Sequence, residues 1–230
     1  MSLLTRSAAA RGTLRVLGAL LSYPDAGVRR HLGEMSEILR RERALPPERV
    51  DELDALIERL QHTDPLDCEA EYVQLFDRGR GTSLHLFEHV HGDSRDRGPA
   101  MIDLAQTYEK AGLFLAPGEL PDYLPAVLEF ASTQPPREAK AFLGETAHIL
   151  NAIFGALEKR GSAYASVVGA LLELAGEKAR PVAPPAEEPL DEAWAEPPVF
   201  GGCSTKGQAR PDEAQPIRMV RRNPQRGVAP

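Results

Sequence analysis

The stretch Pro46 to Pro65, PPERVDELDALIERLQHTDP, decides the fold class. Val50, Leu53, Leu56, Ile57 and Leu60 recur at spacings of three and four, which puts them on one face of an α-helix. Pro46-Pro47 opens that helix, because a proline in the first turn gives up no intrahelical hydrogen bond. Asp64-Pro65 repeats the signal: Asp64 is placed to accept from free N–H groups of the next helix, and Pro65 to occupy its first position.

The same period runs outward in both directions. Upstream, Leu14, Leu17, Leu20 and Leu21 form a stripe closed by Tyr23-Pro24-Asp25, and Val28, Leu32, Met35 and Leu39 form a second. Downstream, the helix opened by Pro65 carries Tyr72, Val73, Leu75 and Phe76. Met101, Leu104, Ala105 and Tyr108 continue the pattern to a stop at Gly112, and Leu120-Pro121 starts a helix bearing Leu124, Val127, Leu128 and Ala131. Two long helices are predicted over 136–160 and 162–178. No segment alternates as a strand would, and the connections are short. The expectation is therefore all-α: a single-domain antiparallel helical bundle spanning residues 1–180.

Beyond residue 180 the composition changes. Ten of the 20 prolines lie between Pro181 and Pro230, among Gly, Ala and mixed charge, so residues 181–230 are predicted to form a disordered Pro-rich tail. Trp194 and Phe200 are its two large aromatic side chains. The formal net charge of −7 argues against a general nucleic-acid binder. Cys68 and Cys203 are too few and too far apart for a disulfide framework or a four-ligand zinc site, which suggests a reducing compartment. Arg6, Arg11 and Arg15 interrupt the N-terminal apolar stretch, and no run approaches the roughly 18 apolar residues of a membrane span. A soluble, cytoplasmic protein is expected, without direct membrane insertion.

The chemistry-bearing residues concentrate in Leu75 to Met101, LFDRGRGTSLHLFEHVHGDSRDRGPAM. Three readings compete there. His85, Glu88, His89 and His91 fall within seven residues, and His85 and His89 share a face if Leu84 to Val90 is helical. That would make a metal-dependent enzyme or metal sensor, although the order E-H-V-H is not the H-E-x-x-H of zinc proteases. Arg78-Gly79-Arg80-Gly81-Thr82-Ser83 has the charge and backbone freedom of an anion nest, but it lacks phosphate-loop spacing and follows no strand. It leaves room for a basic rim meeting a phosphorylated cofactor. Finally, Tyr72, Leu75 and Phe76, followed by a glycine-broken loop with Leu84, Leu86 and Phe87, can wall a groove for an amphipathic peptide. Glu69, Glu71 and Asp77 read as a solvated helix face, with no nucleophile–base pair beside them, so no enzyme is expected.

Glu71 to Met101, EYVQLFDRGRGTSLHLFEHVHGDSRDRGPAM, resembles the hallmark of the respiratory nitrate reductase delta-subunit family, the molybdenum-cofactor assembly chaperones. Leu120 to Phe130 (LPDYLPAVLEF), the LLSYPD near the start and DEAWAEPPVF in the tail extend the likeness. The resemblance implies an all-helical, non-catalytic protein with no permanently bound cofactor. It implies binding of the N-terminal peptide of the catalytic α subunit of nitrate reductase. It also implies promotion of insertion of molybdenum bis(molybdopterin guanine dinucleotide) before membrane docking. Cofactor-biosynthesis proteins are a further class of partner that it leaves open. Carried over residue by residue, the family's Y-x-x-L-F falls on Tyr72, Leu75 and Phe76, and its E-[SH]-V on Glu88, His89 and Val90. The usual L-P-D-H-L-P stands here with Tyr123 in place of the histidine, after Asp122. The expected client-binding set is Tyr72, Leu75, Phe76, Arg78, Phe87, Glu88, His89, His91, Arg95, Asp122 and Tyr123, with Arg80 and Arg97 adding charge.

Overall fold

Helix follows helix through the structure, a computed structural model that describes residues 10–92 and 94–180. α1 (Arg11–Leu20) starts after Ala10, which has no side chain to cap it. Glu42 supplies the cap from a distance: its carboxylate accepts from the backbone N–H groups of Gly12 (2.8 Å) and Thr13 (2.7 Å) and from the Thr13 hydroxyl (2.8 Å). α2 (Ala26–Arg30) is capped by Asp25, and α3 (Leu32–Glu42) follows at once. The single helix expected from Val28 to Leu39 is thus broken at His31, and the break turns Leu32, Met35 and Leu39 into the core while α2 buries no residue fully.

α4 (Pro47–His62) forms as read, with Val50, Leu53, Leu56, Ile57 and Leu60 buried. Its buried Asp54 ties it to α3, accepting from Arg40 (2.7 Å) and from Ser36 (2.5 Å). α5 (Pro65–Tyr72) is capped by Asp64, whose side chain accepts from Leu66 N–H at 2.9 Å. The chain then widens into a π-helical turn, Val73–Asp77, and a 3₁₀ turn, Arg80–Thr82, before the short α6 (Leu86–Val90) and α7 (Arg97–Lys110). α8 (Leu124–Thr133) begins four residues later than Leu120-Pro121 suggests, because Pro125 is the proline of its first turn. The expected helix over 136–160 is two, α9 (Pro136–Glu145) and α10 (Ala147–Lys159), parted at Thr146, whose hydroxyl donates to the Leu143 carbonyl at 2.9 Å. α11 (Ala165–Ala175) ends on Gly176 at φ +82°, a left-handed cap that favours glycine.

α11 forms the centre. Val167, Val168, Ala170, Leu171 and Leu172 are all inaccessible, and a helix apolar on every side must be buried on every side. It packs against α4, α9, α10 and α1, and α1 lies chiefly on α8. Gly18 makes that last approach close, since a Cβ there would stand 3.5 Å from both Leu128 Cβ and the Pro125 carbonyl. α7 is different, for only its Tyr108 is buried. The all-α expectation holds among the described residues, and no helix there is long and apolar enough to cross a membrane. The tail expected over 181–230, with Trp194 and Phe200, lies outside the described residues.

Leu171→Ala should cost about 2–5 kcal/mol by chemical denaturation, because the surrounding helices cannot collapse onto the void. Gly18→Ala should be neutral or mildly stabilising, since the new methyl group meets only ordinary contact distances and helix propensity improves.

Candidate functional site

The π-helical turn sets the site's geometry. It ends with Arg78 N–H donating to the Val73 carbonyl (3.1 Å), and it leaves the Leu75 carbonyl to the hydroxyl of the inaccessible Thr82. Thr82 also donates to the Gly79 carbonyl at 3.2 Å, so the glycine-rich turn is pinned beneath its arginines. From there the backbone runs extended for a few residues and pairs with the segment before α8. Leu124 N–H donates to the Leu84 carbonyl (2.8 Å), and Leu86 N–H to the Asp122 carbonyl (3.0 Å). His85 and Tyr123 face each other across this bridge, with their rings 5.4 Å apart.

Asp122 closes the arrangement. Its side chain is 0 % exposed, and its carboxylate accepts from Phe87 N–H (3.1 Å), capping α6 from another part of the chain. His85 Nδ1 lies 3.3 Å from its other oxygen, and the Arg97 guanidinium 3.9 Å from the oxygen that Phe87 N–H bonds. Around it, Ser83 donates to the Glu88 carboxylate (2.5 Å), Arg97 reaches the same carboxylate (3.5 Å), and His89 Nε2 stands 2.9 Å from the Ser83 carbonyl. A five-residue helix does not persist on its own propensity, so these side-chain ties hold α6 in place. The hydrogen bond to Asp122 raises the His85 pKa, against the opposing effect of burial.

The predicted residues fall into two groups. Tyr72, Leu75 and Phe76 are core side chains, no more than 8 % exposed, which support the segment from within. Tyr72 packs on Phe76, Tyr164 and Tyr23, with ring centroids 4.8, 6.4 and 5.6 Å away, and its hydroxyl donates to the Leu21 carbonyl at 2.8 Å. Since that proton is committed, the Tyr123 hydroxyl, 3.1 Å away, donates to Tyr72. Glu88, His89, Asp122 and Tyr123 are likewise engaged in holding the segment. Phe87 and His91, in edge contact at 5.5 Å, are half-buried, while Arg78 and Arg95 are exposed.

The metal reading loses its ligand set. His85 is extended and precedes α6, so it does not share a helical face with His89. His85 turns to Asp122, His89 to Ser83 and His91 to Phe87. Among the described residues no three His, Cys, Asp or Glu side chains are grouped to hold a metal ion. Reading the sequence took Thr82 and Ser83 as part of an anion nest and Arg97 as charge for the client, and missed that all three hold the segment in place. It also missed the exposed apolar side chains that follow: Val90, Ile102, Leu120 and above all Phe114, which is 80 % exposed. A separate cleft of about 640 Å3, bounded by Leu14, Ala131, Leu143 and Glu173, contains none of the predicted residues.

The sequence model of the nitrate reductase delta subunit matches residues 42–168, a span that holds the whole Asp122 arrangement. The chain belongs to this family. Among curated relatives, it is 47 % identical over 162 residues to the Escherichia coli (strain K12) nitrate reductase molybdenum cofactor assembly chaperone NarJ, covering 70 % of this chain and 69 % of that one. It is 43 % identical over 163 residues to the probable chaperone of the same description, NarW, from the same organism (71 % and 68 % covered). A probable NarJ of Bacillus subtilis (strain 168) is 30 % identical over 161 residues (70 % and 86 % covered).

The pH dependence of this family member's site follows from the direction of the His85 shift. A group whose folded pKa is raised stabilises the folded state below its unfolded value, about 6.5, and that contribution disappears as pH rises through the folded value. NMR titration should put the His85 imidazole above 6.5, and Asp122→Asn should bring it down. Asp122→Ala, which strands the Phe87 N–H, should cost about 1–3 kcal/mol and speed amide exchange across α6.

Proposed function

We propose that this protein is a dedicated assembly chaperone for respiratory nitrate reductase, acting by binding and without catalysis. The client is the apo catalytic α subunit, held through its N-terminal peptide in the cytoplasm. Holding it open favours insertion of molybdenum bis(molybdopterin guanine dinucleotide) before the enzyme docks at the membrane. Family membership supports the chaperone role, as do the names of the relatives. The observation that carries the docking reading is α6 itself. This short helix, held from behind by Asp122, Ser83 and Arg97, presents Phe87, Val90 and His91 at or near the surface, with Arg95 and the exposed apolar side chains of 102–120 following. An amphipathic peptide fits such a surface, with its apolar face on Phe87 and Val90 and its polar face toward the rim.

The energetics need no chemistry. A chaperone that prefers the cofactor-accepting state of its client shifts the client's population by its differential affinity alone, and it leaves when the mature state no longer offers the peptide. His85, its pKa raised by the hydrogen bond to Asp122, borders this surface, which makes affinity pH-dependent.

Calorimetric titration of the full chain with a synthetic peptide matching the client's N-terminus should give saturable one-to-one binding that changes between two pH values. Phe87→Ala should weaken it by more than about 1 kcal/mol, roughly fivefold. Full affinity in a folded Phe87→Ala variant would move the contact off α6. Phe76→Ala is a stability probe instead, and should lower folding free energy by about 3–5 kcal/mol.

A further inference from the structure

Phe114 stands out from the fold on a turn whose backbone is closed on both sides. Before it, Gly112 at φ +78° lets the chain leave α7, with Gly112 N–H donating to the Glu109 carbonyl (2.9 Å) and Leu113 N–H to the Tyr108 carbonyl (3.0 Å). After it, Glu119 N–H donates to the Ala116 carbonyl (3.0 Å), and the Glu119 carboxylate accepts from Ala116 N–H (3.2 Å). Phe114 lines a notch of about 80 Å3 together with Tyr108, Phe130, Glu119 and Glu129. Tyr108 and Phe130 are buried, with ring centroids 4.7 Å apart, so two packed aromatic side chains back the notch. Glu119 and Glu129 are exposed, and neither pairs with a cation.

Lone apolar side chains are common on protein surfaces and need no partner. Phe114 differs in its setting, which joins a fixed turn, an aromatic backing and two carboxylates without a counter-ion. A notch of that size has room for the end of one side chain and not for a helix. A cation there gains from the carboxylates and the aromatic rings at once, while its aliphatic stem lies along Phe114. The surrounding charge narrows the choice of occupant. From Ile102 to Glu129 the exposed acids Asp103, Glu109, Glu119 and Glu129 stand against one exposed cation, Lys110. Such a surface disfavours a second copy of itself, an anionic membrane and a nucleic acid, and it favours a basic polypeptide. We propose that the Phe114 turn is a docking surface for a basic segment of a partner protein, which sets a lysine or arginine in the notch and an apolar neighbour on Phe114. This gives Phe114 an occupant of its own, whether or not the client peptide docks on α6.

The test is titration of the full chain into a dye-labelled amphipathic helix of leucine and lysine, followed by fluorescence anisotropy and repeated with the leucine–glutamate counterpart. The lysine peptide should bind saturably and one-to-one, more weakly as salt is added, and the glutamate peptide should not bind. Phe114→Ser and Glu129→Gln should each lower the affinity about fivefold or more. Glu37→Gln, which neutralises an exposed carboxylate of α3, should leave it unchanged. All three side chains are exposed, so an unchanged thermal midpoint separates a lost site from a lost fold. Absence of saturable binding, or full affinity in Phe114→Ser, overturns the proposal. So does an equal loss in Glu37→Gln, which would reduce the effect to general attraction, or an equal loss in Phe87→Ala, which would place the peptide on α6. A full chain that sediments as a dimer and becomes monomeric in Phe114→Ser would overturn it too, since the occupant would then be a second copy.

Discussion

A carboxylate at 0 % exposure needs compensation, and the site is organised around providing it for Asp122. An isolated buried charge would cost several kcal/mol, so the Phe87 N–H, the His85 imidazole and the Arg97 guanidinium all turn toward it. Each of these partners belongs to the segment from Leu84 onward, whereas Asp122 belongs to the approach to α8. The need to satisfy one charge thereby fixes where a distant segment lies. α6, too short to be stable alone, exists because that charge caps it.

Behind the cap stands an aromatic floor. Tyr72, Phe76 and Tyr164 pack in tilted and edge-on pairs, and the hydrogen-bonded line from Tyr123 through Tyr72 to the Leu21 carbonyl joins three parts of the chain. Burial pushes the Tyr72 phenol well above its ordinary range, so it remains a donor at any physiological pH. Tyr123, at the position where the resemblance leads one to expect histidine, supplies a polar link without charge and without a titration near neutrality.

Helices announced by strong local chemistry were legible. α4 combines a proline start with an uninterrupted apolar stripe, and α5 has both Asp64 and Pro65 at its head. The breaks at His31 and Thr146 were not, because neither position carries glycine or proline and the apolar period runs straight through them; tertiary packing decides them. Of the candidate site, the sequence located the segment but not the direction of its side chains. Tyr72, Leu75 and Phe76 look the same whether they line a groove or fill a core, and only the π-helical turn and its neighbours turn them inward. Arg97 was misread for the opposite reason: its partner, Asp122, is 25 residues away in sequence, and a salt bridge of that span leaves no local signal.

The moorings of α7 carry one more consequence. At its start Arg97 reaches Asp122, and near its end the Tyr108 hydroxyl donates to the Pro121 carbonyl at 2.8 Å. The Tyr108 bond and one of the two ion pairs of Arg97 thus lead to one dipeptide, the other ion pair going to Glu88, and only Tyr108 is buried. A helix strung in this way opens as a cooperative unit of its own. Its local unfolding free energy is set by the ion pairs of Arg97, one hydrogen-bonded anchor and one aromatic side chain, and lies well below that of the α11 core. Strain at Pro121-Asp122 would loosen both ends of α7 together, so this dipeptide doubles as the latch of a subglobal foldon.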